Sequence, residues 1–77
     1  MTPLPKLGAS HVVCISVEGP ERDASRIKRL GICKGQRIEV ESFGDPMILN
    51  VVGTRIGISR RLAENIWVDE AKAPANQ

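Results

Sequence analysis

Few side chains in this chain are able to do chemistry: one histidine (His11), two cysteines (Cys14 and Cys33) and a scatter of serines and carboxylates. A His–Cys pair suggests either a thiolate nucleophile with an imidazole base or two ligands for a transition metal. His11 and Cys14 fall in an apolar stretch that reads as a strand, and their three-residue offset puts them on opposite faces. They chelate one ion only if the strand bulges. The spacing does not place Cys33, and no zinc-type ligand pattern is present. Glu39 and Glu41 share a strand face, where two solvated acids are the simpler reading, since a hard cation needs several converging oxygens. Ser10, Ser16, Ser25, Ser42 and Ser59 have only His11 as an imidazole base, and no glycine-rich phosphate loop occurs. The expectation is a protein that is not an enzyme, with no catalytic residues, no metal ligands and no cofactor.

The basic residues are more suggestive. Arg22, Arg26, Lys28 and Arg29 crowd one segment, with Lys34 and Arg37 just after it. On a helix, positions 22, 26 and 29 line one side at four- and three-residue steps. Two readings stand: a docking face for an acidic partner, or a solvated face partly neutralised by Glu18, Glu21 and Asp23. Nucleic acid is not expected. The net charge is only +2, and Phe43 and Trp67 are the only rings available for base stacking. Trp67 itself has two readings. If Ile66 and Val68 point inward, it points outward as a partner hot spot. Otherwise it covers one end of the molecule against Leu4 and Leu7.

The scaffold that carries these residues is small. The 77 residues make one domain, and a chain of that size buries only about 60% of its unfolded surface. Hydrophobic residues make up 42% of the chain and charged residues 26%, an ordinary globular balance with an aliphatic core. No apolar run is long enough to span a membrane, and the N-terminus lacks the apolar core of a signal peptide. Direct membrane insertion is therefore not expected. The expected location is the cytoplasm, with both cysteines reduced.

Residues 11–17 alternate as a strand, with Val13, Ile15 and Val17 on one face and Val12, Cys14 and Ser16 on the other. Glu18-Gly19-Pro20 breaks it. Residues 21–30 read as a short helix, with Glu21 and Asp23 early, Lys28 and Arg29 late, and a narrow stripe of Ala24, Ile27 and Leu30. Gly31 terminates it and lets Ile32 pack back. Cys33-Lys34-Gly35 is a turn, residues 36–43 a half-buried strand, and Gly44-Asp45-Pro46 a second turn. The dense run 47–52 reads as a strand buried on both sides or as an edge for a homo-oligomer. Gly53 opens a hairpin into 55–58, Ser59 caps a helical turn over 60–65, and 66–68 closes the chain. Gly31, Gly35, Gly44 and Gly53 are expected at turns where positive φ is needed. Residues 71–77 read as a flexible C-terminal tail. The fold class is mainly β: a closed or nearly closed barrel of about five strands, one short α-helix and one helical turn.

The order and spacing of these pieces resemble the FeoA family, whose motif runs arginine-leucine, leucine-glycine, proline-glycine and then an apolar strand. Here Arg26-Ile27 takes the first pair and Leu30-Gly31 the second, followed by Lys34-Gly35 and a strand containing Ile38 and Val40. Gly44-Asp45-Pro46, Gly53, Ile56-Gly57-Ile58-Ser59, Ala63, Ile66 and Val68 match the rest, so the resemblance covers residues 4–69. Lys34 departs from the usual proline, Val52 from a basic residue, and Ser59 from arginine. The resemblance implies an SH3-like barrel at residues 1–70. It also implies an accessory role in bacterial ferrous-iron uptake, docked on the cytoplasmic side of a FeoB-type transporter. The contact set expected on this reading is Arg22, Arg26, Arg29, Ile32, Lys34 and Trp67. The alternative is a peptide-binding regulatory module related to the C-terminal domain of iron-dependent repressors.

Overall fold

The computed structural model describes residues 1–72. Its strands are β1 (Thr2–Pro3), β2 (His11–Val17), β3 (Arg37–Ser42), β4 (Met47–Val51), β5 (Thr54–Ile58) and β6 (Ile66–Glu70). Two helices, α1 (Glu21–Arg29) and α2 (Arg60–Ala63), and a 3-10 turn over Leu4–Lys6 complete it. All neighbouring strands are antiparallel, in the order β1-β6-β2-β3-β4-β5. The mainly β expectation holds, with two corrections. The strands number six rather than about five, because Thr2–Pro3 pairs with Val68 and Trp67. The sheet is also open, with β1 and β5 as its two edges.

One side of the sheet makes the core. Val12, Cys14, Ile38, Val40, Leu49, Val51, Ile66 and Val68 are buried along it, with Ile27, Ile32, Leu62 and Ala63 packed on top. In β3, Ile38 and Val40 are buried between exposed Arg37, Glu39 and Glu41, as period-two alternation requires. The strand β2 is less regular. Cys14 pairs with Val68 and Ser16 with Trp67, so Ile15 is an extra residue in a β-bulge. The bulge shifts the alternation by one, and Val17 joins the core side opposite Ile66.

The run 47–52 is neither buried on both sides nor an edge. Met47, Leu49 and Val51 face the core, Ile48 and Asn50 face out, and β4 lies between β3 and β5. A homo-oligomer built on that run has no free edge to use. The run stops because Val52 and Gly53 form a tight turn, with φ of 51° and 80° and Val51 paired to Thr54. Both central residues with positive φ is the arrangement whose twist matches a hairpin.

Gly31 and Gly35 also have positive φ, whereas Gly44 does not. The turn at Gly44 is shaped instead by the cis Asp45–Pro46 peptide and by Ser42 Oγ, which accepts from the Gly44 N–H at 3.3 Å. Asp45 has a second task. Its Oδ1 accepts from Arg60 N–H at 3.2 Å, while Ser59 Oγ accepts from Leu62 N–H at 3.1 Å, so both residues cap α2.

Of the tail expected at 71–77, residues 73–77 lie outside the described residues. Ala71 donates to the His11 carbonyl at 2.8 Å, and the Lys72 carbonyl accepts from Arg37 at 2.5 Å, so the chain stays attached through both. Among the described residues, no helix is long and apolar enough to cross a membrane.

Candidate functional site

The helix α1 begins after Pro20, whose φ of −58° and ψ of 145° bring the chain in extended. Glu21 and Asp23 lie in its first turn, and Arg26, Lys28 and Arg29 in its last, so the charges oppose the helix dipole at both ends. Ile27 is its one fully buried residue, and Ala24 and Leu30 are half-buried. A stripe that narrow leaves most of the helix circumference in water. Arg22, Arg26 and Arg29 are all exposed on it, and Lys34 is exposed in the following turn.

Ile32 does not belong to this surface. Gly31 N–H donates to the Lys28 carbonyl at 2.9 Å and Ile32 N–H to the Ile27 carbonyl at 3.3 Å. That pair of bonds across a left-handed glycine is the Schellman cap, which folds the next apolar residue back under the helix. Ile32 is fully buried with Ile27, so its expected role as a partner contact is corrected to a core role.

Trp67 faces away from the core, because Ile66 and Val68 on either side of it are fully buried. It is half-buried, opposite Ser16 on β2 and Pro3 on β1. The side chains beside α1 are different: Pro20, Arg22, Asp23, Arg26 and Arg61 line an open cleft of about 440 Å³. Trp67 is not among them, so the expected contact set divides into a basic face and a separate aromatic position.

Sequence reasoning placed Asp23 among the acids that neutralise this face, and missed Arg61 and Asn65 beside it. Arg61 Nη1 lies 3.7 Å from Asp23 Oδ2, and Asn65 Nδ2 lies 3.5 Å from the same oxygen. Asn65 also accepts from Glu18 N–H through its carbonyl at 2.8 Å, joining the end of β2 to α2. A signal was available: Ser59 as a cap followed by Arg60-Arg61 marks a second basic helical turn. That this turn sits beside α1 is a tertiary fact with no trace in local pattern.

The other chemistry-bearing groups are dispersed. Cys14 is buried in the core, and burial, followed by the nearby Cys33 thiol, pushes its pKa up from the ordinary value of 9.0. Cys33 is exposed. His11 lies on the opposite face from Cys14, paired across the sheet with Glu39. Glu41 is engaged by Arg55 Nε at 2.9 Å and Asn50 Nδ2 at 3.3 Å. Among the described residues, no three His, Cys, Asp or Glu side chains converge as metal ligands would.

The FeoA domain model matches residues 4–70. Among solved structures, an iron uptake regulatory protein, FeoA, is 26% identical with a TM-score of 0.80, covering 91% of this chain and 96% of that one. The zinc complex of FeoA from Stenotrophomonas maltophilia is 26% identical with a TM-score of 0.70, covering 90% of this chain and 89% of that one. It is described as a prokaryotic SH3 domain protein and a candidate activating factor of bacterial ferrous-iron transport. The manganese regulator SloR is 9% identical with a TM-score of 0.80 over 91% of this chain and 34% of its own, a likeness of fold alone. No curated protein sequence matches the chain. The fold described above is thus SH3-like, as expected.

Proposed function

The chain belongs to the FeoA family, and from that premise we propose that it is a cytoplasmic, non-enzymatic accessory protein of ferrous-iron uptake that docks on a FeoB-type transporter. One observation carries the reading. The helix α1 buries one residue fully and turns Arg22, Arg26 and Arg29 outward, with Lys34 following on the same chain segment. A helix held by so narrow a stripe serves the core little and presents a fixed row of cations. Such a row suits an acidic surface on a partner, where charge complementarity speeds encounter and fixes orientation. The extent of the docking unit is residues 1–70.

A second reading, a peptide-binding regulatory module, is favoured by the open edge at β5. In the β4–β5 hairpin, Val51–Thr54, Leu49–Ile56 and Met47–Ile58 face each other as the pairs that exchange bonds. Arg55 and Gly57 therefore direct their backbone groups away from the sheet, where an extended segment can add as a strand.

The test is association of the purified protein with its FeoB-type transporter in lipid nanodiscs, with and without GTP. The docking reading predicts saturable binding that weakens as salt rises. Absence of binding in both nucleotide states, with the protein shown to be folded, contradicts it.

A further inference from the structure

We propose that the cleft between α1 and α2 receives the carboxylates of an acidic segment of the partner, held by Arg22, Arg26 and Arg61. The proposal rests on the docking reading and deepens it, by naming the subsite and the chemistry it selects. Of the residues that line the cleft, three are arginines and one is an aspartate. Arg22 and Arg26 make no ion pair and no side-chain hydrogen bond among the described residues. They stand four residues apart on α1, so their stems are neighbours roughly 5–6 Å apart at Cβ. Two guanidinium forks at that spacing match one bidentate carboxylate or two adjacent ones.

The cleft already contains a carboxylate of the chain's own. Asp23 sits at its floor with 15% side-chain exposure, fastened by Asn65. Arg61 reaches it only at 3.7 Å and is 73% exposed, leaving most of its five donors for an incoming acid. Asp23 also argues against phosphate. Its fixed negative charge repels a dianion about twice as strongly as a carboxylate. The first turn of α1 carries Glu21 as well as Asp23, which adds to that repulsion.

A Cβ on Gly19 would lie 2.2 Å from Asn65 Oδ1, and its φ of 103° favours glycine, so the chain after β2 passes close to the residue that fastens Asp23. This approach and the Asn65–Asp23 contact hold the start of α1 beside the end of α2.

The experiment titrates the isotope-labelled whole protein with a capped oligoglutamate peptide, its oligoglutamine analogue, and inorganic phosphate, following the arginine Nε–H and backbone amide signals. The expected result is saturable shifts at Arg22, Arg26, Arg61 and Asp23 with oligoglutamate alone. The Arg22→Gln/Arg26→Gln variant should lose affinity by on the order of tenfold, and Arg61→Gln by several-fold. Lys28→Gln, which removes one charge from the same helix outside the cleft, should bind as the parent does. Equal shifts with oligoglutamine, tighter binding of phosphate at the cleft, or an equal loss with Lys28→Gln overturns the proposal. The two readings separate in the transporter assay. Cleft variants that still bind the transporter as the parent does remove the subsite and leave docking standing. A protein that binds oligoglutamate at the cleft and never the transporter does the reverse.

Discussion

Val52 holds a backbone conformation that its side chain disfavours. Its φ is 51°, a region that branched residues rarely enter, and 79% of the residue is exposed, so its burial returns little. Asn50 Oδ1 accepts from Gly53 N–H at 2.9 Å and holds the turn closed around it. Val52→Asn, giving the Asn-Gly pair this turn favours, should raise stability by about 1 kcal/mol in urea unfolding. Unchanged or lower stability would mean the turn is not strained. The cysteines are distinguished by burial. Cys33 should react with a thiol reagent in the folded protein, and Cys14 only after unfolding. The raised pKa of Cys14 has a definite sign: the folded state holds its proton longer than the unfolded state does. Its stabilising contribution is complete below the unfolded value near 9.0 and is lost as pH rises through the folded value. Denaturation midpoints should therefore fall above about pH 9, and Cys14→Ala, although less stable throughout, should lose that part of the slope. Ser16 Oγ is buried without a hydrogen-bond partner among the described residues, opposite Trp67. An orphaned hydroxyl costs roughly 1–3 kcal/mol, so Ser16→Ala should be neutral or stabilising.

At the scale of elements, the junction of β2, α1 and α2 governs whether the basic face is presented. Gly19 has φ of 103° and no space for a side chain beside Asn65. Gly19→Ala should cost about 1–3 kcal/mol and shift the amide signals of Asp23 and Arg61. Adding Asn65→Ala should recover only part of that cost, because the clash is removed while the strained φ remains, a coupling that a double-mutant cycle measures. Most of the elements were legible in the sequence for local reasons. The alternation in β3 shows its buried face directly, and Gly31 marks the end of α1 because a left-handed residue is what the cap requires. The bulge in β2 was not legible, since inserting Ile15 leaves a sequence that still alternates. Gly44 lies in a turn as its sequence context indicates, but the turn does without positive φ, which local pattern does not reveal. The packing back of Ile32 is legible from the Gly31 cap, and its burial is what removes it from the contact set that the resemblance suggests.

On the scale of the whole molecule, the open sheet and the basic face are alternative ways of meeting a partner. Whether the barrel closes is not legible in the sequence, because Thr2–Pro3 is too short to alternate and closure depends on strands far apart in the chain. The basic face was legible as charge on one helix. Its extension to Arg61 was not, because α2 reaches α1 through tertiary contacts of Arg61 and Asn65 with Asp23. Most surface positions of so small a domain are solvated charges worth little to stability, so replacing Arg22, Arg26 and Arg29 by Gln should change folding free energy by less than about 0.5 kcal/mol each. Partner binding should fall steeply in the same variants. The most direct measurement is amide hydrogen exchange of the protein alone and bound to its FeoB-type transporter in nanodiscs. Docking through the basic face predicts protection concentrated in α1 and the Cys33-Lys34-Gly35 turn, with the start of α2 included. Protection confined to β5, with α1 exchanging as in the free protein, would contradict it and place the partner on the open edge of the sheet.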